Sequence, residues 1–178
     1  ALGFWEAELT KTSCESQNLA NPKLPSINML LMDGPLTLKK DAPTAALFPD
    51  KSSAPPRVCF LGSTAETVSM DEGTKQTASE NPGRFSRALP LLLAEHTFLS
   101  STAESATLLP WISGDNACFV LSGVMWKDED AAAHARRGNR PSDYVIISHL
   151  KARSESWTLL LRFVRTIDGK CLRSHEYT

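Results

Sequence analysis

A chain of 178 residues with a net charge of −1 and a pI near 6.5 has room for a domain of about 120 residues plus an arm, and it argues against a surface that binds nucleic acid globally. No apolar run approaches the roughly 18 residues a membrane helix needs, and Gly3-Phe4-Trp5 is too short for a signal-peptide core, so the chain is expected to be soluble, with no membrane insertion. Charge is uneven, however: from Ala131 onward nine Lys/Arg stand against four Asp/Glu, a local excess of five.

Residues 1–57 read as a proline-rich arm. Seven of the eleven prolines fall there (Pro22, Pro25, Pro35, Pro43, Pro49, Pro55, Pro56), which excludes long helices and central strands. Within the arm, Ile27–Met32, Asp33-Gly34-Pro35 and Leu36-Thr37-Leu38 read as a short hairpin, and Phe4-Trp5 as a packing anchor. The chain starts at Ala1 and stops just after a strand, as a piece of a longer protein would. Localisation therefore stays open between periplasm or cell envelope and cytoplasm.

From residue 58 the sequence reads as one α+β domain. Arg57-Val-Cys-Phe-Leu61 ended by Gly62 is a buried strand, and the polar stretch Ser63–Gly83 a loop. Phe85, Ala88, Leu89, Leu92, Leu93 and His96 share one face of a helix in which Pro90 must lie near the first turn or kink the axis; His96 closes that face at the helix end. Thr97–Ser100 reads as a short strand. Ser101-Thr-Ala-Glu104 matches a capping box ahead of Ala106, Leu108, Leu109 and Ile112, which predicts a second short helix limited by Pro110. Ala117–Trp126 reads as a strand bent at Gly123.

Lys127–Gly138 carries acids in its first turn, alanines in its middle, bases in its last turn and Gly138 beyond its end, a well-signed helix. Three β-rich runs follow in Ser142–Thr178, separated by Ser154–Ser156 and by Asp168-Gly169, and they read as an antiparallel meander. In the middle run Trp157, Leu159, Leu161 and Phe163 alternate with Thr158, Leu160, Arg162 and Val164, and the aromatic side is taken as core. A base-stacking platform would need those aromatics exposed beside basic residues. The expected order is β-α-β-α-β-β-β, a mixed sheet with helices on one face.

Chemistry is sparse. Cys14, Cys59, Cys118 and Cys171 lie 45, 59 and 53 residues apart, fitting neither a metal knuckle nor a dense disulfide scaffold, and Cys59, Cys118 and Cys171 read as small buried hydrophobes. No zinc-protease, Walker, nucleophile-elbow or dinucleotide motif occurs. Ser148-His-Leu-Lys151 matches Ser-x-x-Lys only formally, since a strand puts the two residues on opposite faces. Asp128-Glu-Asp130 complements a helix dipole. The reading therefore assigns no catalytic residue, cofactor or metal, and the polar 63–83 loop has no constellation to recommend it as an enzyme site. The feature left for a partner is the basic set Lys151, Arg153, Arg162, Arg165 and Arg173, which as a patch would meet an acidic protein surface or a phosphate backbone, or as a solvated edge would discourage sheet association.

The run Ala131-Ala-Ala-His-Ala-Arg-Arg-Gly138, Asp143-Tyr-Val-Ile146, Leu150-Lys-Ala-Arg-Ser-Glu155, Leu159–Val164, Asp168-Gly169 and Leu172–Tyr177 resembles the TolB-like amino-terminal domain, with Arg57–Leu61 and Phe85–Leu99 fitting more loosely. The resemblance covers about residues 57–178. Ser148 stands where the family usually has glycine, Arg165 where aspartate is common and Arg173 where tryptophan is frequent, while residues 102–126 look like an insertion. It implies a non-enzymatic protein-interaction or assembly module; the alternative, from the residues, is a nucleic-acid-binding module using the basic C-terminal sheet.

Overall fold

A computed structural model describes residues 27–35, 48–67, 81–113, 118–153 and 156–178. The fold is mixed α/β. Its strands are β1 (Ile27–Asp33), β2 (Arg57–Leu61), β3 (Ala65–Thr67), β4 (Glu104–Ile112), β5 (Cys118–Phe119), β6 (Tyr144–Ala152), β7 (Thr158–Arg165) and β8 (Lys170–Tyr177), and its helices α1 (Asn81–Ser100) and α2 (Asp128–Ala135). They make one mixed sheet in the order β1-β4-β2-β6-β7-β8, with β3 paired to β6 and β5 to β4. Strands β4, β2 and β6 are parallel, and β6-β7-β8 is an antiparallel meander as the Asp168-Gly169 turn predicts, Gly169 supplying φ +66°.

The segment expected to be a second helix is instead β4, a central strand buried almost along its length. Its capping-box signal loses to tertiary context: Ala106, Leu108 and Leu109 are needed between β1 and β2, and a continuous apolar run buried on both faces has no period to separate strand from helix. Thr97–Ser100 is not a strand but the last turn of α1. Among the described residues of Ala117–Trp126, 118–126, the strand is Cys118–Phe119, with Ser122 making a bridge to Thr64. Within the proline-rich arm, Ile27–Asp33 joins the sheet as an edge strand antiparallel to β4; Leu36–Leu38, the other half of the expected hairpin, lies outside the described residues, as do Phe4-Trp5 and Cys14.

The two helices do not share a face. Because β4 and β6 flank β2 on opposite sides, right-handed crossovers β2-α1-β4 and β4-α2-β6 must pass over opposite faces of the sheet. Strand parity agrees. Ala131, Ala132 and Ala135 of α2 pack with Cys59, Leu61, Ala106, Leu108, Val145, Ile147 and Val164, whereas α1 lies on the other face, against Gly62. Alanine is what lets α2 sit close over that core.

Helix α1 is turned differently from its apolar pattern. Gly83, Ser86, Pro90 and Ala94 face the sheet, while Phe85 (42 % exposed), Leu92 (64 %) and Leu99 (41 %) point outward. The reason is close approach, with a proline at the contact. Pro90 lies mid-helix and has no N–H for the carbonyl of Ser86 four residues back; that carbonyl accepts the Ser63 N–H at 3.1 Å instead, stitching the helix to the end of β2. The C-terminal end of α1 is held not by His96, which is exposed, but by Lys51: its ammonium donates to the carbonyls of Phe98 and Ser101 and sits over the Phe98 ring, a cation at the negative pole of the helix.

Between β2 and β3 the backbone takes one extra residue against β6, since Leu61 pairs with Ile147 but Ala65 with Leu150. Ser63 absorbs the bulge at φ 64°. Cys59 lies in the α2-side core, where burial pushes its thiol up to about 12. In native buffer at pH 8, N-ethylmaleimide is expected to leave Cys59 unmodified and to reach it only after denaturant unfolds the chain; mass spectrometry of the modified peptides checks this, and native labelling of Cys59 would contradict the burial.

Candidate interaction surfaces

In open parallel sheets, ligands bind in the crevice where consecutive crossovers diverge, at the carboxyl ends of the strands. Here that point lies between β2 and β6, and the chain fills it. Strand β3 continues the line of β2 alongside β6, and His149 is buried there with Nδ1 3.0 Å from Thr64 Oγ1 and Nε2 3.2 Å from Glu66 Oε1. Thr64 Oγ1 donates to Ser148 O (2.9 Å), Ser148 Oγ donates to Leu61 O (3.2 Å), and Trp126 Nε1 donates to Gly62 O (3.3 Å). These groups spend their hydrogen bonds on fastening β3 and the 122–126 segment. Ser148 and Lys151 stand on opposite faces, as strand alternation requires.

The five basic residues do not form one patch. By register, Lys151 and Arg162 lie on the α2 side and Arg165 and Arg173 on the other, while Arg153, just past the end of β6, meets Glu66. Four are already paired: Lys151 with Glu176 (3.0 Å), Arg153 with Glu66 (3.3 Å), Arg162 with Asp128 (2.9 and 2.5 Å) and Arg165 with Asp168 (3.1 and 2.6 Å). The Arg162 fork ties β7 to the first turn of α2, so Asp128 serves the helix dipole and the sheet together. Arg165 holds the Asp168 carboxyl down at about 2, chiefly through the side-chain hydrogen bond. A depressed carboxylate favours the native pair above its ordinary range and loses that pair as pH falls toward 2. An NMR titration should place the Asp168 midpoint near 2 in the native chain and clearly higher in Arg165→Ala, where the Lys170 N–H still donates to Oδ1; both groups are exposed, so little stability rides on it.

The aromatic side of β7, expected to be core, is the open side. Val164 is fully buried under α2, whereas Leu161 and Phe163 line a shallow groove of about 330 Å³ with Ile146, Arg173, His175 and Tyr177. Helix α1 covers the β4-β2-β6 part of this face and stops short of β7 and β8, where Phe85 meets Trp157 edge-on at 6.0 Å. Alternation alone leaves both sides of β7 apolar. The signal that selects the core side is Arg162, which shares its parity with Val164 and needs Asp128.

Beside this sheet face runs the outer stripe of α1. Phe85, Leu92 and Leu99 recur every seven residues, with Ala88 also exposed between the first two. A stripe of that spacing matches the seam by which helices pack on one another, and on a folded chain clustered exposed apolar side chains mark contact sites.

Among the described residues no helix is long and apolar enough to cross a membrane, and no group of three or more His, Cys, Asp or Glu converges as metal ligands would. Comparisons of the chain with protein-family models, curated proteins and solved structures return no match.

Proposed function

We propose that the chain is a non-enzymatic protein-interaction module that docks a partner helix on the outer face of α1. The observation that carries this reading is the stripe Phe85, Leu92, Leu99: the apolar face of the helix is turned to solvent while small residues meet the sheet. Two further features support it. The crevice where an α/β sheet would take a small ligand is occupied by β3 and the His149–Thr64–Glu66 cluster, and the resemblance to TolB-like accessory domains implies an assembly role. An amphipathic partner helix would lay its own apolar seam along the stripe, as in helix-in-groove recognition.

The test is site-specific photocrosslinking in cells, with a photoreactive residue at position 85, 92 or 99 and at position 124 or 167 as exposed controls away from the stripe. The stripe positions should trap one and the same protein, the controls should not, and Leu92→Asp should abolish the adduct formed from position 85. Equal trapping from the controls, or an adduct unaffected by Leu92→Asp, would remove the stripe as the docking site. Specific small-molecule turnover by the purified chain would overturn the non-enzymatic reading.

A further inference from the structure

The open face of β6-β7-β8 has a chemistry different from that of the α1 stripe. Two ring pairs stand on it. Tyr144 stacks with Phe163 at 4.9 Å and 27°, and His175 meets Tyr177 at 4.4 Å. Register puts Phe163 across from Arg173, Leu161 across from His175 and Leu159 across from Tyr177, so the ring pairs lie about 13 Å apart along the strands, four residues at the rise of a strand, with the groove between them. The same face carries Arg165, Lys170 and Arg173, and the carboxylate beside them is Asp168, held by Arg165. Tyr177 is 52 % exposed at the sheet edge.

That combination selects among occupants. A second copy paired antiparallel along β8 and centred on Arg173 would set Arg173 opposite Arg173, and like charges directly across a ladder are destabilising. A purely apolar partner would bury the Arg173 guanidinium. An anionic chain bearing flat rings satisfies both halves of the surface: rings stack on aromatic side chains, and its charge meets Arg173 and Lys170. We propose that this face binds single-stranded nucleic acid, with bases stacked at Tyr144/Phe163 and at His175/Tyr177, the phosphate between them on Arg173, and the next phosphate, beyond Tyr144/Phe163, on Lys170. The face sits well with a chain of net charge −1, because the positive charge is local.

The experiment is fluorescence anisotropy of a labelled oligouridylate of about ten nucleotides, the size range of such grooves, titrated with the full chain. Binding is expected in the range of about 10⁻⁴–10⁻⁶ M, and with about two phosphate contacts a rise from 50 to 200 mM salt should weaken it roughly sevenfold. Tyr177→Leu should weaken it roughly tenfold or more, and Arg173→Ala should flatten the log–log salt slope by about 0.7. Lys151→Ala, on the opposite face, and Leu92→Asp, on the α1 stripe, should leave binding unchanged; the latter separates failure of this proposal from failure of the docking reading. No anisotropy change at low salt, equal binding by Tyr177→Leu, an equal loss in Lys151→Ala, or binding of polyglutamate in place of the oligonucleotide would each overturn it.

Discussion

Replacing Ile147 by alanine is expected to destabilise the chain by about 4 kcal/mol, while the same change at its neighbour Ile146 costs about 1 kcal/mol. The two residues are adjacent on β6 and chemically identical, so only the face differs. Ile147 is fully buried between β2 and β7 under the alanines of α2, where the lost side chain leaves a cavity that close-packed neighbours cannot fill. Ile146 lines the open groove beside Phe163, where water fills the space. Urea unfolding of both variants checks the difference, and equal losses would mean that the sheet is covered on both sides at this point.

The second large effect is expected at Gly62. A Cβ built there lies 2.6 Å from the Ser86 carbonyl oxygen and 2.7 Å from Pro90 Cγ, contacts that side chains do not make. The obstruction is helix backbone and a rigid ring, so α1 must move off the sheet and the Ser63–Ser86 bond must lengthen or break. Gly62→Ala should therefore cost about 3 kcal/mol, at the upper end of overpacking, measurable as a drop in the urea midpoint with an unchanged slope. A double variant, Gly62→Ala with Pro90→Ala, should recover part of the loss because the Pro90 ring contact is gone; no recovery would place the strain on the Ser86 carbonyl alone.

Much of the fold is legible in the residues where local signals and tertiary needs agree. Asp168-Gly169 fixes the β7-β8 turn, the acid-to-base gradient of Lys127–Gly138 fixes α2, and Arg57–Leu61 ended by glycine fixes β2. Legibility fails where a pattern fits two structures. In 101–112 the capping box and four apolar residues describe a helix as well as a strand buried on both faces, and only the neighbours β1 and β2 decide. In α1 the apolar periodicity is real, but the periodic face is not the buried one, because a glycine at the end of β2 and a proline in the helix draw the small-residue side onto the sheet.

The candidate surfaces follow the same division. The arginines were visible as a set, yet strand parity separates Arg162 from Arg165 and Arg173, and acids elsewhere in the chain claim most of them. The aromatic face of β7 was visible as a face. Its exposure was not, because that depends on α1 stopping short of β7 and on α2 crossing the other side, facts of crossover handedness rather than of side-chain pattern.

The claim on which the rest depends is that the β6-β7-β8 face opposite α2 is open. Hydroxyl-radical footprinting of the isolated chain, read residue by residue, tests it most directly. Trp157, Leu172, His175 and Tyr177 should oxidise rapidly, with Ile147, Val164 and Leu61 protected, as their exposures require. Protection of Trp157, His175 and Tyr177 to the level of Val164 would contradict it.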